Sequence, residues 1–138
     1  MLTFQIKNIK NKSRTGILSL NGNTIETPCF MPVGTAATVK SLSSSEVYNF
    51  GYKIILANTF HLMLRPGVDI ISKHGGIHKF MNWRGAIITD SGGYQVFSLS
   101  KLRKVTHEGV HFISPIDGEK IFLDSNKSIW LQEKFGAD

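Results

Sequence analysis

Ala86-Ile87-Ile88-Thr89-Asp90-Ser91-Gly92-Gly93-Tyr94-Gln95-Val96-Phe97-Ser98-Leu99 is the stretch on which the reading of the fold turns. An apolar run stops at a carboxylate, which is followed by a hydroxyl, two glycines and an aromatic ring. Ala86 to Ile88 is apolar, β-branched and bounded by turn residues, which predicts a short buried strand. Asp90 then stands where the strand hands over to a loop. Gly92 and Gly93 allow dihedrals that other residues avoid and leave room for a ligand near the main chain. A carboxylate, free amides and a ring face in one loop suit a flat, nitrogen-rich ligand such as a nucleobase. The plainer alternative is a turn in which Asp90 caps the next segment, and a four-residue motif alone leaves both open.

Upstream the same grammar repeats. Ile54-Ile55-Leu56-Ala57 predicts a second buried strand ending at Asn58-Thr59-Phe60-His61, and Cys29-Phe30-Met31 a first one followed by Pro32-Val33-Gly34. Between them Ser43-Ser44-Ser45-Glu46 has capping-box spacing and opens a helix through Val47, Tyr48 and Phe50, closed by Gly51. Pro66 to His74 predicts a second helix, stopped by Gly75-Gly76. Strands alternating with helices imply parallel pairing and an α/β class. In α/β barrels ligands sit at the carboxyl ends of the strands, and here Val33-Gly34, Asn58 to His61 and Asp90 to Tyr94 occupy those ends. Such barrels take about 250 residues, so a chain of 138 residues is expected to hold about half of one. An open doubly wound sheet lacks support, because no glycine-rich phosphate loop follows the first strand.

Two antiparallel elements flank this pattern. In residues 1–28, Ile17-Leu18-Ser19-Leu20 and Thr24-Ile25-Glu26-Thr27 flank Asn21-Gly22, a strong hairpin signal. Near 105–123, Val110-His111-Phe112-Ile113 and Lys120-Ile121-Phe122-Leu123 flank Asp117-Gly118, a second hairpin inserted between the alternating units. Asp124 or Ser125 then caps a helix carrying Ile129, Trp130, Leu131 and Phe135, ended by Gly136. The expected organisation is a small antiparallel sheet over 1–28 and the first half of a barrel over 29–138. No strand follows Ala137-Asp138, so the C-terminal half of the barrel is expected to be missing.

Composition sets outer bounds. Hydrophobic residues make up 41% and charged residues 19%, a globular rather than a disordered balance. No window reaches the roughly 18 apolar residues that cross a bilayer, and the N-terminus lacks the apolar core of a secretory signal. The single Cys29 excludes an internal disulfide and a thiolate-based zinc site. A cytoplasmic protein with no membrane partner is the expectation. Sixteen Lys and Arg against ten Asp and Glu give a net charge of +6, which favours an anionic partner such as nucleic acid.

Three long motifs in order carry a resemblance: Phe30-Met31-Pro32-Val33-Gly34-Thr35-Ala36-Ala37-Thr38-Val39-Lys40, Asn58-Thr59-Phe60-His61-Leu62-Met63-Leu64-Arg65-Pro66-Gly67, and Thr89 through Leu99. Collinear from about residue 4 to 138, they resemble the bacterial tRNA-guanine transglycosylases, also called queuine tRNA-ribosyltransferases. The resemblance implies a (β/α)8 TIM barrel with an N-terminal antiparallel sheet and a zinc-binding subdomain near the C-terminus. It implies exchange of guanine at the tRNA wobble position for a 7-deazaguanine, in bacteria 7-aminomethyl-7-deazaguanine, on the way to queuosine. By resemblance Asp90 is the general acid/base, Ser91 and the Gly92-Gly93 backbone hold the base edge, and Tyr94 stacks on its face. Asn58 and Val33 match pocket positions, and the complete enzyme is a homodimer. The family's nucleophilic Asp, a second base-binding Asp and the Cys/His zinc ligands lie beyond Asp138, so no metal or cofactor is expected in this chain, and alone it is expected to be inactive.

Alternatives remain for individual residues. Asn58 also reads as a strand-end turn residue, and His61 as packing rather than catalysis. His74 and His78 are separated by Gly75-Gly76, while His107 and His111 share a strand face but lack a third ligand. Trp83 and Trp130 read as core. Lys101, Arg103 and Lys104 read equally as phosphate contacts or as a solvated loop. Asp-Ser-Gly-Gly also surrounds the nucleophile of trypsin-like proteases, but Thr89 and Tyr94 stand where those enzymes place Gly and Pro. A non-catalytic truncated remnant that binds RNA or a partner subunit is the other class of reading.

Overall fold

A computed structural model describes residues 2–99 and 102–138. The chain opens with an antiparallel sheet of β1 (Leu2–Lys10), β2 (Ser13–Leu20) and β3 (Asn23–Thr27), in that spatial order. Asn21 and Gly22 both take positive φ, 46° and 83°, as a two-residue hairpin turn requires. The sequence reading missed β1. Its Leu2, Phe4 and Ile6 pair with Leu20, Leu18 and Gly16, so they share one sheet face. Farther along that face Leu20 and Ile25 are buried against Ile54 and Ala86, which seats the sheet on the start of the central strands.

The central part runs α1 (Ser44–Asn49), β4 (Ile54–Ala57), α2 (Thr59–Leu64), α3 (Val68–Lys73), α4 (Ile77–Met81), β5 (Ala86–Thr89) and α5 (Gly93–Leu99). The predicted capping box is formed: the Ser43 hydroxyl accepts from the Glu46 N–H, and the Glu46 carboxylate accepts from the Ser43 N–H at 2.8 Å. β4 and β5 pair in parallel, Ile54 to Ala86 through Ala57 to Thr89. The expected strand at Cys29–Met31 does not form. A single parallel bridge from Val33 to Leu56 takes its place, with the Gly34 N–H donating to the Leu56 carbonyl at 2.7 Å and the Leu56 N–H to that of Pro32 at 3.0 Å. Pro32 has no N–H to extend the ladder.

β6 (Arg103–Val105), β7 (Val110–Ile113) and β8 (Lys120–Leu123) form a second antiparallel sheet. The β7–β8 hairpin is as expected, and β6 adds an edge strand that the sequence did not announce. α6 (Ser125–Phe135) is capped by Asp124, whose carboxylate accepts from the Lys127 N–H at 2.6 Å, and ends at Gly136 with φ 70°. Leu131 and Phe135 of α6 join Phe60, Leu62, Ile71 and Ile87 in one core. Trp83 is buried as expected, its indole N–H donating to the Ala86 carbonyl at 3.0 Å. Trp130, expected in the core, lies exposed, because Ser128, Leu131 and Phe135 form the inner face of α6.

Asp138 sits beside β5 on the edge away from β4. Its N–H donates to the Ile87 carbonyl at 3.0 Å, and its carboxylate accepts from the Ile87 N–H at 2.8 Å and from Asn21 Nδ2 at 2.9 Å. His78 Nε2 lies 3.2 Å from the same carboxylate. The result is a mixed α/β structure with a small antiparallel sheet at each flank of a short parallel pair. Among the described residues no helix is long and apolar enough to cross a membrane.

Candidate active site

Because Ala57 and Thr89 are register partners, the next residues, Asn58 and Asp90, leave the parallel pair side by side. The Asp90 carboxylate accepts four hydrogen bonds. Oδ1 takes the N–H of Thr59 at 3.0 Å and of Gly92 at 3.1 Å. Oδ2 takes Asn58 Nδ2 and Gln95 Nε2, both at 2.6 Å. The Thr59 hydroxyl closes the set by donating to the Asp90 carbonyl at 2.6 Å. One oxygen is thus held by main chain and the other by two side-chain amides.

The arrangement explains a local oddity. Asn58 stands at the N-cap of α2 but makes no capping bond, since its amide is turned to Asp90. The N–H of the first helical residue, Thr59, which no carbonyl of its own helix can reach, is satisfied instead by a carboxylate from the neighbouring strand. A negative charge is favoured there by the helix dipole.

The glycines do different work from that expected. Gly92 has φ +77°, and a Cβ on it would lie 3.1 Å from the Phe60 nitrogen. The room at Gly92 is therefore filled by the first turn of α2 and not kept for a ligand. Neither glycine N–H is free: that of Gly92 goes to Asp90 and that of Gly93 to Ser91 Oγ at 3.3 Å. Gly93 also begins α5, so the loop is only residues 90–92, shorter than expected. Gly93 keeps open space, with only Ser91 Oγ near its Cβ position, at 3.6 Å.

Of the residues singled out in the sequence, the structure brings Asp90, Asn58 and Gly92 into one hydrogen-bonded cluster. Ser91, Gly93, Tyr94 and Val33 make no hydrogen bond to Asp90 among the described residues. Ser91 is exposed, and its carbonyl accepts from the Ser128 hydroxyl at 2.7 Å, which ties the loop to α6. Tyr94 projects from the first turn of α5 with 75% of its surface exposed, and Val33 is 47% exposed. Thr59 and Gln95 were not singled out, although both stand inside the quoted motifs. The signal for Gln95 is an amide placed one turn into the helix that follows the carboxylate. Its Oε1 is buried and, among the described residues, has no partner.

The sequence pattern of the family described as queuine tRNA-ribosyltransferase matches residues 10–138. The chain belongs to this family. The queuine tRNA-ribosyltransferase of Vibrio campbellii is 52% identical over 137 residues, which are 99% of this chain and 36% of that protein. The corresponding proteins of Shewanella piezotolerans and Tolumonas auensis are 54% and 53% identical, again over 99% of this chain and over 36% and 37% of their own lengths. The chain thus spans about a third of the length of the curated relatives it matches.

The zinc that the family resemblance implies does not fit the residues present. Cys29 is exposed, and among the described residues no three His, Cys, Asp or Glu side chains gather as ligands. The histidine pairs are dispersed. His74 Nδ1 contacts the Ile70 carbonyl at 2.8 Å, His78 faces Asp138, and His111 packs on Phe122 with ring centroids 4.5 Å apart. His61 packs edge-on against Phe60 at 5.2 Å. Of the three basic residues weighed as phosphate contacts, Lys101 lies outside the described residues. Arg103 lies over the Phe97 ring at 4.5 Å, and Lys104 is exposed.

Proposed function

We propose that this chain carries the acid/base centre of a queuine tRNA-ribosyltransferase, the enzyme that exchanges guanine for a 7-deazaguanine at the wobble position of tRNA. The observation that carries the reading is Asp90 at the carboxyl end of the parallel pair, with Oδ1 fixed by backbone and Oδ2 held, among the described residues, by the side-chain amides of Asn58 and Gln95. Side-chain amides can turn away; backbone N–H groups in a packed turn cannot. Oδ2 is therefore the oxygen that works on the base.

The balance of the reaction assigns its task. The bond between the ribose anomeric carbon and guanine breaks while a carboxylate from the rest of the enzyme bonds to that carbon, as in retaining glycosidases. Asp90 delivers a proton to the departing guanine and takes one from the incoming 7-deazaguanine, whose ring nitrogen then bonds to the anomeric carbon as the other carboxylate leaves it. Asn58 and Gln95 hold the carboxylate between those events. Ser91 and Gly93 flank Gly92 in the loop after Asp90, Tyr94 offers an exposed ring for stacking, and Val33 stands on the neighbouring bridge to Leu56. The short parallel run of the Val33 bridge, β4 and β5 is then the opening of a (β/α)8 barrel, with residues 1–28 as its antiparallel sheet and the 105–123 region inserted. A homodimeric, cytoplasmic complete enzyme that binds zinc through its remaining length belongs to the same proposal.

The test is a chimera in which residues 1–138 replace the matching third of the Vibrio campbellii protein. It should incorporate radiolabelled guanine into bulk tRNA, and the 138-residue polypeptide alone should not. In the chimera Asp90→Asn should lower exchange by about 10²–10⁴-fold, the usual worth of a general acid/base. Exchange by Asp90→Asn within a few-fold of the parent chimera would overturn the assignment.

A further inference from the structure

The outward face of the β6–β7–β8 sheet has no part in the centre just described. Lys104, His111 and Phe122 are direct register partners across the three strands, so their side chains form one row on one face. Ile113 and Lys120 form the next row on the same face. The opposite face holds the buried Phe112 and Leu123, with Arg103 turned to Phe97. Lys104, His111 and Lys120 are exposed, and the His111 and Phe122 rings lie 4.5 Å apart, tilted by 35°. They line a shallow hollow of about 460 Å³.

The geometry points to a docking platform for single-stranded RNA on this face. A base stacks on the His111–Phe122 pair, and the flanking phosphates lie against Lys104 and Lys120. This rests on the reading that the chain acts on RNA, and it places a second contact away from Asp90. Three features favour RNA as the occupant. Aromatic side chains on an antiparallel sheet face are a recurrent way of holding unstacked bases. The two lysines stand at diagonal corners of the ring pair. Strand spacing of about 4.8 Å and a rise of about 3.4 Å per residue put their Cα atoms roughly 12 Å apart, a span covered by a short run of nucleotides. Neither lysine is paired with a carboxylate among the described residues. The acidic Asp117 and Glu119 lie in the β7–β8 turn, where Asp117 accepts from the Glu119 N–H at 3.1 Å.

The 138-residue chain is titrated into a fluorescein-labelled single-stranded 12-nucleotide RNA of mixed sequence, with anisotropy read over a salt series. Lys104→Ala with Lys120→Ala should weaken binding at least about tenfold at low salt. It should also flatten the slope of log affinity against log salt by about 1.4, since each phosphate contact on a single strand contributes about 0.7. His111→Ala, and separately Phe122→Leu, which keeps apolar bulk, should each weaken binding by about fivefold or more at unchanged slope. Lys12→Ala, in the β1–β2 turn of the other antiparallel sheet, should stay within twofold. Circular dichroism confirms that each variant folds, and the two surface lysines keep the test decisive if a ring variant does not. Parent-like binding by the lysine pair, or no salt-sensitive binding by the parent chain, overturns the proposal. A lysine effect without a ring effect overturns the stacking platform. Guanine exchange in the chimera and this RNA titration are separate readouts, so loss of the exchange reading and loss of this face are distinct outcomes.

Discussion

Asp90→Asn and Asp90→Ala should differ in stability as well as in activity, and the four hydrogen bonds to the carboxylate set the size of the difference. An asparagine can keep its oxygen at the Oδ1 position, where it still accepts from Thr59 and Gly92. Its NH₂ then faces the amides of Asn58 and Gln95. Both can turn over to present their carbonyls, and that of Gln95 has no partner to lose. The bond count survives but the charge does not. Charge-assisted bonds contribute about 1.5–3 kcal/mol and neutral ones about 0.5–1.5 kcal/mol, so two retained bonds weakened by roughly 1 kcal/mol each cost about 2 kcal/mol. Alanine removes every acceptor. The buried N–H groups of Thr59 and Gly92 are then orphaned at about 1–3 kcal/mol each, or about 4 kcal/mol together. At roughly 3–4 °C per kcal/mol for a chain of this size, the melting temperature should fall by about 7 °C for Asp90→Asn and about 14 °C for Asp90→Ala. Thermal melts at pH 7 followed by circular dichroism measure both. If Asp90→Ala melts at or above Asp90→Asn, the carboxylate does not hold the two strand ends together, and the account of α2 capped from the neighbouring strand fails.

Gly92→Ala forces a side chain into a left-handed backbone and to 3.1 Å from the Phe60 nitrogen; it should cost about 2 kcal/mol, and an unchanged urea midpoint would contradict the close packing of α2 on the loop. Tyr94→Phe should be mild and Tyr94→Ala should weaken base affinity by about 1–3 kcal/mol in the chimera; equal effects would make the hydroxyl the working group. Glu46 is held below the ordinary glutamate value, chiefly by the Ser43 hydroxyl and then by the Ser43 backbone. A lowered folded-state pKa contributes stability above the ordinary value that is lost as pH falls through the folded one. NMR titration should place Glu46 below a free glutamate and Ser43→Ala should move it back up; no movement would mean that the capping box is not formed.

Much of the fold was legible because the signals were local. Asn21-Gly22, Asp117-Gly118, Ser43 with Glu46, and Asp124 each act within four residues of themselves, and each did in the structure what its chemistry dictates. The elements that escaped depend on distant partners. β1 is exposed along its whole length and is held by β2 alone, so it carries little burial signal. The strand expected at Cys29–Met31 shrank to one bridge because the neighbouring Pro32 could not extend a ladder. α2 and α5 begin directly at the strand ends, where loops were expected. For α2 the usual start signal was spent elsewhere: Asn58 gives its amide to Asp90, and Asp90, thirty-two residues on, supplies the cap. The same displacement hid Thr59 and Gln95. Asp90 itself was visible from an apolar run that stops at a carboxylate, but its partners are set by the parallel register of β4 and β5.

Asp138 has a consequence for the outer edge of β5. It both gives an N–H to Ile87 and takes one from it, the second time with a side-chain oxygen in the place where a ladder uses a carbonyl. In a strand the side chains alternate between faces, so a slip of one residue exchanges inside for outside along its whole length. The pairing of 138 with 87 therefore acts as a start signal does in translation: it sets a reading frame. Any strand that pairs with that edge through residue 138 has its inward and outward positions assigned before its side chains are packed.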